Sequence, residues 1–312
     1  MSKRSFEVRV ASVATRSDAS DRARVRISDL RQPLRSQREW AEGRGFLLIL
    51  AHFLTGAGAG AWLFAALFDL AAGLVAGFSL VALGGFAHLF FLGHPERFWR
   101  MMKNFAGSWI SRGLVGMTLF LLAGSVYLLC LLVDASDTAV ARTVFLITLL
   151  SALWIVVYKG FVWASSKGIP LWNTPLVPVL YIAYALRAGT AVLIMLAALL
   201  TPPPASAHLE PVKLWLAVST ALLVLVYVSI MRDSGVTALR SVDLLLFGRV
   251  AIPFYLGAVV IGLVVPIAIG AVAALAHVPT ELVALAALFS LLGDLSIIYC
   301  IAKAGLYRPL PG

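Results

Sequence analysis

Eight apolar stretches dominate this 312-residue chain, each near the ~20 residues that a helix needs to cross a bilayer. They cover 45–68, 70–93, 113–133, 143–163, 175–200, 213–231, 251–276 and 281–301. Hydrocarbon cannot hydrogen-bond a free N–H or C=O, so each span has to be helical. Composition agrees: 61% of residues are hydrophobic and 13% charged, where a soluble domain carries about 25% charged residues. The expected fold class is an all-α integral membrane protein, with eight transmembrane helices in two packed four-helix bundles.

The formal net charge of +10 would suggest nucleic acid in a soluble protein. Here the basic residues sit before and between the apolar runs, where they act as topology signals. The arm ahead of the first span holds eleven Lys and Arg. The 2–3 link holds Arg97, Arg100, Lys103 and Arg112; the 4–5 link Lys159 and Lys167; the 6–7 link Arg232, Arg240 and Arg249; the C-terminal end Lys303 and Arg308. The opposite side has only Arg142 and Lys213. The positive-inside rule predicts both termini in the cytoplasm, and that alternation needs an even number of spans.

Two domains follow: a basic, partly disordered cytoplasmic arm over 1–44 and an eight-helix membrane domain over 45–312. The polar length of the arm does not read as a cleavable signal peptide. Its end, 31–44, is expected to be a solvated arm, to lie on the anionic inner leaflet, or to dock on a partner. Gly56, Gly58, Gly60, Gly84 and Gly85 allow helices to approach closely.

Cys130 and Cys300 lie inside apolar runs, and no CxxC or Cys/His cluster is present. The sequence therefore offers no ligand set for an iron–sulfur cluster or a structural zinc. Charged and His side chains inside a membrane are costly, which makes His52, His88, Arg187 and Asp294 functional candidates. His52 and His88 lie at similar depth from the cytoplasmic face. Segment 3 starts at that level with Trp109 and Arg112, and segment 4 ends there with Tyr158 and Lys159. A quinone needs an apolar slot opening to lipid and one or two donors for its carbonyl oxygens, and His can move the accompanying proton. The same layer also reads as interfacial anchors and helix-to-helix hydrogen bonds, or as two imidazoles on a b-type haem. Arg187 and Asp294 read as a structural ion pair or as part of a proton path.

One stretch is recognisable. Phe91-Leu92-Gly93-His94-Pro95-Glu96-Arg97, followed by Ser108-Trp109-Ile110-Ser111-Arg112, resembles the NrfD-like family, the membrane anchor subunits of polysulfide and dimethyl-sulfoxide reductase-type complexes. The family pattern is L-G-x-P-x-R, an amphipathic stretch, then S-W-x-S/T-R. Similar pieces are His52-Phe53-Leu54-Thr55-Gly56 in the first helix, Ile169-Pro170-Leu171-Trp172-Asn173-Thr174-Pro175-Leu176 before the fifth, and Gly293-Asp294 with Lys303-Ala304-Gly305-Leu306-Tyr307 at the end. The resemblance runs from segment 1 to the C-terminus.

The resemblance implies an anchor in a bacterial inner membrane that binds ubiquinone or menaquinone, carries no haem and is not catalytic alone. It implies electron exchange with a four-cluster ferredoxin-like iron–sulfur subunit holding 4Fe-4S clusters, and beyond it a molybdenum or tungsten bis-pterin catalytic subunit. The family's dimethyl-sulfoxide type has His and Glu where this chain has Phe91 and Gly113. His88 lies three residues before Phe91, on the same helical face, and His52 resembles the polysulfide type, where a first-helix His sits at the quinone; the resemblance implies a quinone site of His52, His88, Trp109, Arg112 and Tyr158, with Arg97, Arg100 and Lys103 toward the partner. A cytoplasmic 2–3 link favours a cytoplasmic substrate, such as phenylacetyl-CoA or sulfite. The competing classes are an ion- or proton-translocating subunit, a transporter, and a purely structural anchor.

Overall fold

A computed structural model of the protein describes residues 34–200 and 209–308; the expectations for residues 1–33 lie outside them. Helix α1 (Gly45–Leu67) turns into α2 (Ala71–Phe91) through Asp69, whose φ is 53°. A 3-10 helix (Pro95–Asn104) leads to α3 (Trp109–Leu132), then α4 (Ala139–Ala164) and α5 (Leu176–Leu199). Next come α6 (Leu209–Asp233) and the short α7 (Val236–Leu246). Helix α8 is π-helical over Pro253–Val264 and α-helical over Val265–Ala273; α9 (Thr280–Ala304) is last. All of these except the 3-10 helix and α7 are long and apolar enough to cross a membrane, which makes eight among the described residues.

Local chemistry sets several boundaries. Ser108 and Thr138 cap α3 and α4, each side chain accepting from an amide three residues on (Ser111 at 3.3 Å, Ala141 at 3.2 Å). The outside of the bundle keeps large apolar side chains exposed, among them Leu122, Leu129, Leu150 and Leu225. In water that surface would aggregate; against lipid tails it costs nothing.

Helix α1 is the central stave. It packs on α2, α4, α5 and α9, so the first four and last four helices meet closely through α1 and α5. Small residues permit this. A Cβ on Gly60 would overlap the Ala185 carbonyl of α5, and one on Gly189 would overlap the Gly60 backbone. Gly58 and Gly77 play the same part between α1 and α2, and Gly84 fits against Thr55. Gly56 packs on Ala185 of α5 and makes room for the Lys159 amine, and Gly85 borders a cavity.

Residues 34–44 fold back onto the chain's own face. Ser36 bridges antiparallel to Leu306, Gln37 N–H donates to Gly305 O at 3.0 Å, and Tyr307 N–H donates to Arg35 O at 2.9 Å. Lys303 pairs with Glu42 at 2.9 Å and holds that carboxyl below its ordinary range, chiefly through the hydrogen bond. Trp40 stacks on Trp172 (5.6 Å) and meets Trp163 edge-on (5.3 Å). We call this end of the bundle the terminal face.

Candidate functional site

On α2, Phe78, Ala82, Gly85 and Leu89 recur at helical spacing and share one face; on α3, Ile110, Leu114, Met117 and Leu121 do the same. The two faces look at each other across a cavity of about 470 Å³. That size suits a small-molecule site. Leu48 and His52 of α1 and Tyr158 and Val162 of α4 complete its wall. At the terminal face Trp40, Phe98 and Met101 border it.

The cavity is apolar apart from a few groups, and these are the informative ones. His52 is buried, and its Nδ1 accepts from the Trp163 indole N–H at 3.0 Å. The His88 ring lies 5.2 Å from the His52 ring, edge to face. Rings in direct contact leave no gap for a porphyrin plane between them. Nδ1 of His88 is buried without a partner. Tyr158, also buried, is the third polar group on this wall.

Trp109 and Arg112 do not reach this wall, which corrects their expected place. They sit three residues apart and so share the opposite face of α3. Trp109 stacks on Phe161 (4.6 Å) and Trp154 (6.1 Å). Arg112 donates to the carbonyls of Phe105 (3.0 Å) and Ala106 (2.6 Å), tying the preceding turn to α3. Both residues brace the 2–3 link beside the cavity.

Lys159 is a second correction. The charge count places it in the solvated 4–5 link, but it lies within α4, 2% exposed, with its Nζ donating to the His52 carbonyl at 2.9 Å. The signal was available, because position 159 falls inside the 143–163 apolar run. Trp40, Trp163, Phe98 and Met101 also went unselected. Nothing in a single sequence tells a lining aromatic from an ordinary core one.

The missing acid at position 113 has a steric reason. A Cβ on Gly113 would overlap the Tyr158 ring, which fills the space a side chain there would need. Phe91, where the family's dimethyl-sulfoxide type has His, borders the cavity.

The basic residues of the 3-10 helix point differently from its apolar ones. Phe98 and Met101 turn to the cavity, while Trp99 stays 48% exposed with Arg100 (5.6 Å) and Lys103 (4.9 Å) over its ring. Arg97 lies beside Glu96 on the exposed side. Arg187 and Asp294 are brought together away from the cavity. The guanidinium holds the carboxylate through Nε and Nη2 and donates from Nη1 to Gly262 O of the π-helical stretch at 3.0 Å. Among the described residues no group of three or more His, Cys, Asp or Glu could hold a metal ion.

Eight membrane-length helices, the first four of them walling an apolar cavity, define a multi-pass membrane protein. The family described as polysulphide reductase, NrfD, matches residues 44–309, and this chain belongs to that family. It is thereby a membrane subunit of the polysulfide reductase type of complex. No curated protein matches the chain.

Proposed function

We propose that this chain is the quinone-reactive anchor of a molybdenum or tungsten bis-pterin oxidoreductase complex. It passes electrons between an iron–sulfur subunit and the membrane quinone pool. The observation that carries this reading is the cavity itself. It is apolar, lies between two lipid-facing helices, and offers His52, His88 and Tyr158 to a ring with two carbonyl oxygens. A bound quinone supplies the two-electron, two-proton chemistry that the chain's own side chains lack. Imidazole and phenol N–H and O–H groups orient its oxygens, and Leu114, Met117 and Val162 exclude water from the ring.

The basic 3-10 helix beside the cavity is the docking edge for a four-cluster ferredoxin-like subunit, through Arg97, Arg100 and Lys103. The Lys and Arg distribution supports a cytoplasmic position for that edge and for both termini in a bacterial inner membrane. The catalytic subunit then works on a cytoplasmic substrate of the phenylacetyl-CoA or sulfite kind. In this reading the first four helices form the reactive bundle and the last four the supporting one. Arg187 and Asp294 serve as a lock between helices, because each satisfies the other.

Photo-crosslinking the intact complex with an azido-naphthoquinone tests the reading. Label on peptides from α2 and α3 is the expected result. An active complex with no label on this chain would leave it a structural anchor.

A further inference from the structure

The two imidazoles of the cavity are held in opposite ways. Trp163 donates its indole N–H to Nδ1 of His52 at 3.0 Å. An indole nitrogen only donates, so that Nδ1 carries a lone pair and the one ring proton of His52 sits on Nε2. The hold is reinforced from the same helix, where Lys159 donates to the His52 carbonyl at 2.9 Å. Trp163 is itself fully buried, edge-on to Trp40 and Trp172. His88 has no such hold. Its Nδ1 is buried without a partner, and no protein group among the described residues hydrogen-bonds its ring.

We infer that the two residues divide the work: His52 is a fixed Nε2–H donor to an oxygen in the cavity, and His88 is the group that takes up and returns the proton. The occupant rests on the quinone reading above; the tautomer does not. His52 has one ring proton to give, and giving it would leave an imidazolate. Gaining a second would set an Nδ1–H against the Trp163 N–H. His88 can gain or lose a proton without breaking a hydrogen bond to any of the described residues.

In the reducing direction, an N–H bond of the His88 imidazolium breaks and an O–H bond forms on the cavity oxygen, as an electron arrives from the iron–sulfur partner. The imidazole left neutral regains its proton from cytoplasmic water at the terminal face. The oxidising direction reverses each transfer. The other titratable groups on the cavity wall and beside it, among the described residues, are His52 from α1, Tyr158 and Lys159 from α4, and Tyr181 from α5, edge-on to the His52 ring at 6.4 Å; α3 lines the cavity with Thr118 and apolar side chains.

The test uses the intact complex with ring-15N histidine in this chain. Difference spectra against His52→Gln and His88→Gln assign the two signals. His52 is expected to stay in the neutral Nε2–H form as pH falls, and His88 to be the first of the two to take up a second ring proton. Trp163→Phe is expected to give His52 a mixture of tautomers. An Nδ1–H or imidazolium His52 in the unaltered chain would overturn the proposal, as would a His52 form unchanged by Trp163→Phe.

The azido-naphthoquinone label separates the two ideas. No label beside a locked His52 sinks the quinone reading alone. Label in place, with a turnover pH profile that His88→Gln does not move, sinks the division of roles.

Discussion

Nζ of Lys159 and the main-chain oxygen of His52 meet at 2.9 Å across 107 residues of sequence, joining α4 to α1 inside apolar packing. Lys159→Met keeps the aliphatic stem and removes this tie. A single hydrogen bond is worth about 1 kcal/mol net, so thermal stability and assembly are expected to change little. Quinone-analogue affinity, measured by titrating the purified complex, is expected to fall about tenfold, or ~1.4 kcal/mol, because His52 loses its fixed height. Unaltered affinity would mean that the tie does not position the imidazole.

Arg187 and Asp294 behave as a unit. Removing one partner leaves an uncompensated buried charge, at a cost of about 3–5 kcal/mol. Arg187→Gln and Asp294→Asn are each expected to lower the unfolding temperature in detergent and the yield of complex. Arg187→Met combined with Asp294→Leu is expected to recover much of both. A proton-path role predicts another pattern, with Arg187→Gln assembling normally while quinone-linked proton uptake is lost.

Gly113→Ala drives a methyl group into the Tyr158 ring. Overpacking of this kind costs about 1–3 kcal/mol, and here the displaced ring moves into the cavity. Analogue binding is expected to weaken more than stability does. Comparing crosslinking yield with the melting curve separates the two effects.

The contact between Glu42 and Lys303 carries a pH dependence. The Lys303 hydrogen bond, with its charge behind it, holds the folded carboxyl below its ordinary value of 4.5. The contact therefore contributes fully above that value and is lost as pH falls through the lower folded one. Protection of residues 34–44 against hydrogen exchange, relative to the intrinsic rate at each pH, is expected to be constant in neutral and mildly acidic buffer and to fall below about 4.5. Glu42→Gln is expected to show the lower protection at every pH.

Reversing Arg100 and Lys103 to Glu is expected to reduce capture of the iron–sulfur subunit. The loss should be largest in low salt, since exposed charges are screened within about 10 Å at 0.1 M. Stability of the membrane subunit alone is expected to be unchanged. Capture insensitive to both reversal and salt would move the docking edge elsewhere.

The eight spans were legible because membrane length and apolarity are properties of single segments. That His52, His88 and Tyr158 come together at one level was legible because polar groups at a shared depth stand out against hydrocarbon, and all three border the cavity. What depends on helix rotation was not. Trp109 and Arg112 have the right depth and the wrong face, and depth alone cannot separate Ile110 from its neighbour. Lys159 was misplaced because a charge near a helix end resembles a topology signal. The tie from Trp163 to His52 spans 111 residues, and neither side chain announces the other in sequence.

The bridge from Ser36 to Leu306 joins the segment before the first membrane helix to the one after the last. Trp40, which borders the cavity, lies four residues beyond Ser36 on that strap and stacks on Trp172, whose indole N–H reaches Ile301 O at 2.9 Å. A ribosome delivers residue 40 long before residue 306. The rim of the cavity therefore waits for the final helix to insert. A chain stalled in synthesis would display its earlier helices with the terminal face unlatched.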